Sequence, residues 1–379
     1  MDFKRISNPK PTTLSFMRMF LYILLSLLVL LGLTSWIVLN LPSFGKNPSK
    51  NRLQAYSSPQ MQEGSFANTL ETAVMSPDAS YWKLIRKQFS GEKREPEQSL
   101  PFQKGPWPTR DTSFHWVWFG HSTLLFQKNG LNLLLDPVFS ERASPFQFMG
   151  SKRYAGTESF GLGDLPTIDY VLITHDHYDH LDYHSIIQLA KKSQIRFIVP
   201  LGVGSHLESW GITPDRIQEL DWWQELDLPG ELRLVMTPAR HFSGRGLVRN
   251  KTLWASYSFI WSDQKVFASG DSGYGPHFKE IGEKLGPFDL AMLENGQYNE
   301  DWPLIHMMPE ECWQAGRDLN ATYIMPIHWG KFTLALHQWT EPVERLLRAA
   351  ATADSVFLSP VAGQHNRLNH DFPRDRWWQ

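Results

Sequence analysis

The residues best suited to carry chemistry lie together at 175–180, which read HDHYDH. This run directly follows the apolar segment YVLIT. Imidazole and carboxylate groups at such spacing can share one tight loop and bind metal, with His175 and His177 facing one position and Asp179 and His180 turned toward a second. A histidine-rich solvated loop is the alternative, but the buried strand expected before the run favours a metal site.

The sequence contains one cysteine, Cys312, which excludes an internal disulfide and a cysteine-rich metal cluster. Imidazole and carboxylate ligands without thiolate suit zinc, manganese or iron. Three further residues of ligand type follow predicted strands, at the position where α/β sheets expose their sites. They are His241, Asp271 and His328. Each alone could be a structural polar residue, but their shared position at strand ends indicates one site for two metal ions.

The elements that must position these residues begin after Asp111, where short apolar runs bounded by turn residues mix with helical patterns. Such mixing predicts a single α/β layered domain at 111–370. The predicted strands are 114–119, 131–136, 170–174, 196–200, 232–238, 254–261, 265–269, 289–293 and 322–327. The predicted helices are 183–192, 278–285, 310–319 and 342–350.

Residues 19–41 form an apolar run without a charged side chain. At ~1.5 Å per helical residue the run would be about 35 Å long, enough to cross a hydrocarbon core of ~30 Å. A cleavable signal peptide is the competing interpretation, but its apolar region is normally ~7–15 residues and ends at a small-residue cleavage site. A buried core helix is a third interpretation. We predict a single transmembrane anchor after an N-terminal tail at 1–18.

Basic residues on the two sides of this run predict its orientation. Slightly more of them precede the run than follow it closely, which favours an N-terminus inside the cell and the bulk of the chain outside the cytoplasm. The basic residues before the run are Lys4, Arg5, Lys10 and Arg18, and those after it are Lys46, Lys50 and Arg52.

Residues 42–110 are rich in Pro, Ser, Gln and charge, which is typical of a linker and N-terminal extension. An amphipathic patch at 81–89 predicts a short helix on the domain or membrane surface. Four tryptophans are candidates for the membrane interface, although core packing is the simpler expectation for tryptophan. These four are Trp82, Trp107, Trp377 and Trp378.

The overall composition narrows the classes of function. The chain is 42% hydrophobic and 20% charged, which excludes disorder throughout. Lysine plus arginine number 37 against 39 aspartate plus glutamate, so the formal net charge is -2. Without a global basic field, a nucleic-acid partner is not expected. The sequence does not indicate an oligomeric state.

The pattern at 175–180, followed in order by His241, Asp271 and His328, resembles the metallo-β-lactamase superfamily. The resemblance implies an αββα sandwich with a dinuclear metal site at one edge of two packed sheets. It also implies how the ligands divide between the two metal ions. Residues His175, His177 and His241 would hold the first ion, Asp179, His180 and His328 the second, and Asp271 would bridge them.

Further motifs resemble the family of phospholipases D that hydrolyse N-acylphosphatidylethanolamine. They lie at 118–123, 136–140, 142–145, 219–223, 270–274, 286–290 and 327–330. This resemblance implies a membrane-associated enzyme that cleaves its phospholipid substrate to a phosphatidic acid and an N-acylethanolamine, with two divalent cations, most simply Zn²⁺. The chain departs from the family in its apolar N-terminal run and in Asp176, where the family tends to have Asn.

The same resemblance and the strand positions imply further roles. Asp179 would orient a water molecule activated by the two cations, and His306 would bind the substrate phosphate or protonate the leaving alcohol, unless it is a loop histidine that merely packs. His121 and Asp136 would hydrogen-bond to the ligands and orient them. Two other functions stay open: a metal-dependent lactonase or small phosphate-ester hydrolase, and a non-catalytic metal-binding membrane protein.

Overall fold

The computed structural model describes residues 13–88, 93–105, 107, 111–192, 194–350 and 356–379. Its first helix, α1 (Thr13–Leu39), contains the apolar segment Met17–Leu39, which has a mean hydropathy of 2.4 and is 0% buried in the protein. A helix that is apolar on every side and lacks protein packing needs another apolar environment. By length and composition this helix fits a membrane span, and a signal sequence would fit the same description. Most of the predicted tail, including Lys4, Arg5 and Lys10, lies outside the described residues.

The other helices are α2 (Lys50–Ala55), α3 (Tyr81–Gln88), α4 (Tyr183–Ala190), α5 (Gly204–Ser209), α6 (His277–Leu285), α7 (Pro309–Asp318) and α8 (Glu341–Ala349). Four of them, α4, α6, α7 and α8, agree closely with the predicted positions at 183–192, 278–285, 310–319 and 342–350, and α3 agrees with the short helix predicted at 81–89, whereas α2 and α5 were not predicted.

Seventeen strands are present in the described residues. They are β1 (Met61–Gln62), β2 (Ser65–Phe66), β3 (His115–Trp118), β4 (Leu124–Lys128), β5 (Leu131–Leu135), β6 (Arg142–Ala143), β7 (Ser151–Lys152), β8 (Tyr170–Leu172), β9 (Arg196–Pro200), β10 (Ile217–Leu220), β11 (Glu225–Leu228), β12 (Leu232–Thr237), β13 (Ser256–Ile260), β14 (Lys265–Ala268), β15 (Leu290–Glu294), β16 (Tyr323–Ile327) and β17 (His365–Arg367).

Two mixed sheets form the centre of the domain. The first has seven strands in the order β10-β9-β8-β5-β4-β3-β17, and the second has six in the order β11-β12-β13-β14-β15-β16. In the first sheet β10, β9, β8 and β5 pair in parallel, and in the second β14, β15 and β16 do. The parallel strands bring their carboxyl ends to a common edge of each sheet, where loops can carry a site.

Alternation along the strands places two sides of each sheet in different cores. In β4, Leu124 and Phe126 join the cluster between the sheets, whereas Leu125 joins a cluster with Ile186 of α4 and Leu207 of α5. On the second sheet, side chains of β14, β15 and β16 on the outer face pack on α6, α7 and α8. The layers are therefore helix, sheet, sheet, helix, and the predicted αββα fold class is confirmed.

Several strands escaped prediction. β4 and β5 form a hairpin that turns at Asn129 and Gly130, with φ of 50° and 78°. An Asn-Gly pair between apolar runs is the usual signature of such a turn, so the sequence did contain a signal for β4. β17 reads HNR and joins the edge of the first sheet, which its polar composition does not suggest.

The segment predicted as a linker contributes to the core. Leu53 and Phe66 are buried within the cluster between the two sheets. Of the four tryptophans proposed for the membrane interface, Trp82 is exposed, while the other three pack on aromatic rings of the domain. Trp107 contacts Phe119 and Phe160, and Trp377 and Trp378 contact Trp329. Trp378 is buried, so core packing, the simpler expectation, describes it better, whereas Trp107 and Trp377 are half-buried and their interfacial role stays a prediction.

Candidate metal centre

The histidine-rich run forms a tight loop between β8 and α4. Within it, the backbone amides of His180 and Leu181 both donate to the carbonyl of His177, at 3.1 and 2.8 Å. The loop ends where Asp182 accepts a hydrogen bond from the amide of His184 and caps α4. The compact turn is what allows side chains so close in sequence to converge on one position.

The remaining predicted ligands reach the same place from other strand ends. His241 follows β12, Asp271 follows β14 and His328 follows β16. His328 has φ 66°, a left-handed backbone that side chains other than glycine rarely adopt. Such a conformation is held only where the surrounding structure fixes it, and it occurs preferentially at functional sites.

Three imidazoles form the first group at this edge. His175 Nε2 lies 2.9 Å from His177 Nδ1, and His241 Nε2 lies 3.2 Å from the same atom. One nitrogen from each ring lies within 4.8 Å of the other two, which is close enough to hold one metal ion. These are the three residues that the resemblance assigned to the first ion.

A second group lies beside the first and contains Asp179, His180, His328 and also His121, whose ligand atoms are again within 4.8 Å of one another. His121 Nε2 donates to Asp179 Oδ2 at 2.9 Å, and the same carboxylate oxygen lies 3.6 Å from His180 Nε2. The side chain of His121 is fully buried, so it holds Asp179 from the protein side of the group.

Asp271 lies between the two groups. Its Oδ2 is 3.8 Å from Nε2 of both His175 and His241, and its Oδ1 is 3.2 Å from His180 Nε2 and 3.0 Å from His328 Nδ1. One carboxylate oxygen thus faces each group, which is the arrangement required of a carboxylate shared by two neighbouring cations.

Buried polar atoms without partners test whether these residues fit metal ions. In the described part of the chain, His180 Nε2, Asp271 Oδ1 and His121 Nδ1 are buried and make no hydrogen bond. A buried polar group without a hydrogen bond costs ~1–3 kcal/mol. A cation bound by His180 Nε2 and Asp271 Oδ1 would offset this cost for both atoms. The donor set, imidazole and carboxylate alone, is also the one that zinc, manganese and iron accept.

The protonation states of four candidate imidazoles and of Asp271 point the same way. Burial lowers the pKa of His175, His241 and His328 well below the usual range and lowers the pKa of His177 to about 4. Their rings are therefore neutral near pH 7, which is the form that binds metal. Burial raises the pKa of Asp271 to about 6, because its charge lacks water, and a cation would favour the ionised form.

Asp136 holds the ring of His180 from behind. His180 Nδ1 donates to Asp136 Oδ2 at 2.8 Å, and Thr174 donates from its amide to Oδ1 at 2.8 Å and from its hydroxyl to Oδ2 at 2.7 Å. Asp136 is fully buried. These bonds fix the carboxylate, and the carboxylate in turn directs His180 Nε2 toward Asp271.

We expect Asp136→Asn to lower metal affinity or activity by about 10–100-fold, the usual effect of losing a carboxylate that orients a metal-binding imidazole. The amide has one acceptor oxygen, so it cannot accept from the Thr174 amide at one position and from His180 and the Thr174 hydroxyl at the other. Metal affinity by competition with a chelator, beside circular dichroism to confirm the fold, measures this. Asp215→Asn, at an exposed carboxylate, is the control. Equal metal affinity and rate in Asp136→Asn and wild type would exclude the orienting role.

Glu294 was missed by sequence reasoning. It is the last residue of β15 and is fully buried. Its Oε1 lies 3.0 Å from His306 Nδ1, and its Oε2 accepts a hydrogen bond from the amide of Met307 at 3.1 Å. Burial raises the pKa of Glu294 well above its usual range. His306 itself lies beside the cluster, because its ligand atom is within 4.8 Å of atoms of His241 and Asp271. The buried carboxyl group of Glu294 therefore fixes the ring of His306, which is consistent with the role predicted for this histidine.

Arg245 was also missed, and it braces the metal loop, which is the loop between β8 and α4 that carries residues 175–181. Its guanidinium is buried, donates to the carbonyls of Asp176 and Leu181 at 2.6 and 2.8 Å, and donates to the carbonyl of Ser43 at 2.6 Å. It lies over the ring of Tyr178, 4.2 Å from the centroid. The metal loop and the segment after α1 are thus tied to one side chain.

Replacing Arg245 with methionine is expected to lower the free energy of unfolding by about 3 kcal/mol, because three buried carbonyls lose charged donors. Urea denaturation of the purified protein in detergent measures this. Arg233→Met, at a half-exposed arginine on β12, should change stability by less than about 0.5 kcal/mol. Similar values for the two variants would contradict the bracing role.

Comparison with known proteins agrees with this geometry. Residues 131–329 match the model of the Beta-lactamase superfamily domain. An uncharacterised protein of Mycobacterium tuberculosis is 40% identical over 346 residues, which cover 89% of this chain and 92% of that relative. The N-acyl-phosphatidylethanolamine-hydrolyzing phospholipase D 1 of Caenorhabditis elegans is 34% identical over 242 residues, covering 61% of this chain and 68% of that enzyme. Igni18, a metallo hydrolase of Ignicoccus hospitalis, shares the fold with a TM-score of 0.53 at 19% identity, covering 69% of this chain and 100% of Igni18.

Proposed function

Because this chain belongs to the metallo-β-lactamase superfamily, we propose that it is a metal-dependent hydrolase of the phospholipase D type. Its substrate is N-acylphosphatidylethanolamine, and its products are a phosphatidic acid and an N-acylethanolamine. The observation that carries the hydrolase is Asp271, whose two oxygens face two separate groups of imidazoles. The similarity to the C. elegans phospholipase, and the apolar helix α1, support the phospholipid substrate.

The ligand assignment follows the two groups. His175, His177 and His241 would hold one divalent cation, Asp179, His180 and His328 would hold the other, and Asp271 would be shared. The cations are most simply Zn²⁺, given a donor set of imidazole and carboxylate. Two cations held there would lower the pKa of a water molecule and stabilise negative charge on the attacking and leaving oxygens of a phosphodiester.

Asp179 positions the attacking water. Its Oδ2 is held by His121 Nε2 at 2.9 Å, and its side chain keeps 14% exposure in a cluster whose imidazoles at 175, 180, 241 and 328 are almost fully buried. The carboxylate is therefore both fixed in direction and reachable from the open side of the site. A fixed acceptor of this kind orients a water molecule for attack without a change in the protein at the moment of reaction.

Whereas Asp179 acts on the attacking water, His306 acts on the phosphate or on the leaving alcohol. Its Nδ1 is engaged by Glu294, which leaves Nε2 free to meet the substrate. A histidine placed so can donate a hydrogen bond to a phosphoryl oxygen or a proton to the departing oxygen. Glu294 does not touch the substrate in this scheme; it is a positioning residue for His306.

Confinement to a membrane supports the lipid substrate physically. We propose that α1 anchors the chain in a bilayer and that the domain lies outside the cytoplasm. An anchored enzyme and a membrane-bound substrate then meet at high effective concentration. A reporter fused after Gln379 tests the orientation: alkaline phosphatase activity agrees with the proposal, and fluorescence of a protein that folds in the cytoplasm contradicts it.

Hydrolysis of defined substrates tests the function. The purified full-length protein, loaded with zinc, is assayed in mixed micelles with N-acylphosphatidylethanolamine, with phosphatidylcholine and with a sugar lactone. Release of N-acylethanolamine from the first is expected. Hydrolysis of the lactone alone would keep the hydrolase and reject the phospholipase. No turnover of any of the three with a full metal complement would favour the non-catalytic metal-binding alternative.

A further inference from the structure

The segment that follows α1 docks on the domain immediately. The carbonyl of Pro42 accepts from Trp210 Nε1 at 2.7 Å, and that of Ser43 accepts from Arg245 at 2.6 Å. The ring of Phe44 lies 6.2 Å from that of Tyr178, which belongs to the metal loop. The end of the apolar helix is therefore tied to the part of the domain that carries the candidate metal centre.

The short connection limits how far this face can lie from a membrane. Between Leu39, where α1 ends, and Ser43, where the chain is held, an extended chain reaches about 14 Å at ~3.5 Å per residue. If α1 spans the bilayer, the face around Ser43 and Phe44 must stay within about that distance of the bilayer surface. The domain cannot turn a different face to the lipid without breaking the bonds to Pro42 and Ser43.

Two loops beside this docking point carry exposed apolar tips. Phe148 is 78% exposed in the loop between β6 and β7, and its ring contacts Phe146, which in turn contacts Phe44. Leu247 is 86% exposed in the loop between β12 and β13. That loop also reaches Phe44, since a Cβ built on Gly246 would lie 4.0 Å from the Phe44 ring.

Each tip has a second apolar residue next to it, Met149 and Val248, and both of these are exposed as well. Adjacent large apolar side chains at loop tips are unfavourable in water and favourable at a lipid surface. Their position on both flanks of Phe44, at the exit of α1, is what points to lipid rather than to a protein partner.

A cation lies between the second tip and the metal centre. The guanidinium of the exposed Arg249 is 5.2 Å from the ring centre of Phe242, and Phe242 contacts the rings of both His177 and His241. A positive charge at this level suits the phosphate layer of a bilayer, which lies just outside the apolar region. The apolar tip, the cation and the metal centre therefore follow one another in the order in which a phospholipid in a bilayer presents its apolar chains and then its phosphate.

We propose, resting on the proposed anchor and phospholipid substrate, that the loop tips 146–149 and 246–249 form a lipid-docking surface. The surface lies in the bilayer interface beside α1 and turns the metal centre toward the phosphodiesters of the membrane. With this surface docked, α1 would orient the domain on the membrane as well as anchor it there.

Site-specific labelling in lipid bilayers tests this surface without requiring turnover. The full chain, whose native Cys312 is buried, is given one exposed cysteine at a time: Phe148→Cys, Leu247→Cys, Leu28→Cys in α1, and Ser262→Cys. Ser262 is exposed in the turn between β13 and β14, at the edge of the second sheet away from the metal centre. Each is labelled with the polarity-sensitive dye NBD in phosphatidylethanolamine and phosphatidylcholine nanodiscs, and wild type gives the background.

The expected result is blue-shifted NBD emission at 28, 148 and 247, with quenching of 148 and 247 by nitroxides at the lipid headgroup level, and water-like emission at 262. Water-like emission at 148 and 247 with a lipid signal at 28 would overturn the docking surface while the anchor stands. Water-like emission at 28 as well would overturn both. A chain that docks as expected but releases no N-acylethanolamine would reject the phospholipase and leave the docking surface intact.

Discussion

Asp271→Asn is expected to lower hydrolysis by roughly 10³-fold and to lower the amount of bound metal. Cations that stabilise charge at phosphorus contribute several kcal/mol to the transition state, and a loss of about 4 kcal/mol corresponds to that factor. The two oxygens of Asp271 face different groups, at 3.8 Å from His175 and His241 and 3.0–3.2 Å from His328 and His180. An amide has the same shape but offers one oxygen and no charge.

The measurement combines metal content by mass spectrometry with the rate on N-acylphosphatidylethanolamine. Asp227→Asn is the matched control, because it makes the same chemical change at an exposed carboxylate on β11. The control should keep both metal and rate. An Asp271→Asn protein that folds, binds the wild-type amount of metal and reacts within about threefold of wild type would contradict the shared-ligand assignment.

His306→Ala is expected to lower kcat by about 10²–10⁴-fold while leaving the metal content unchanged, the usual range for removal of a general acid. The ring stands beside the cluster and is fixed through Nδ1 by Glu294 at 3.0 Å, so its other nitrogen is available to the substrate. The variant is assayed on the lipid and on a phosphodiester whose leaving group is p-nitrophenolate.

The two substrates separate the two possible roles of His306. A leaving group that departs without a proton makes a general acid unnecessary, so a much smaller loss on the nitrophenyl ester identifies His306 as the proton donor. An equal loss on both identifies it as a phosphate-binding group. Wild-type rates of the His306→Ala variant on both substrates would show that His306 is a loop histidine that only packs.

Glu294→Gln examines the positioning of His306 separately. Loss of one good hydrogen bond to the ring is worth about 1.4 kcal/mol or roughly tenfold in kcat, and Glu294→Ala should lose more because it also vacates buried volume. The KM for the lipid should not change, since Glu294 does not meet the substrate. A changed KM with an unchanged kcat would contradict a positioning role.

The candidate ligands could be predicted because their signals are local. The spacing at 175–180 and the placement of His241, Asp271 and His328 after apolar strands are visible in the sequence, and parallel strands bring such ends together by topology alone. The four layers were implied by the resemblance to the superfamily. Their physical basis is visible in β4, which was not predicted: Leu125 faces away from Leu124 and Phe126, so the two sides of the strand enter different cores.

Residues whose importance depends on burial could not be predicted. Glutamate and arginine are residue types that are normally charged and exposed, so no local pattern marks Glu294 as buried beside His306 or Arg245 as buried behind the metal loop. The docking of residues 42–44 depends on Trp210 and Arg245, which lie far away in sequence. Trp377 and Trp378 reach Trp329 by the same kind of long-range packing.

The central claim, attack of water at phosphorus, is tested most directly by hydrolysis of N-acylphosphatidylethanolamine in water enriched in oxygen-18. Water that attacks phosphorus replaces the ethanolamine oxygen, so the heavy isotope is predicted in the phosphate of the phosphatidic acid and is absent from the N-acylethanolamine. Oxygen-18 in the hydroxyl of the N-acylethanolamine, or in a released fatty acid, would show cleavage at carbon and contradict the proposed reaction.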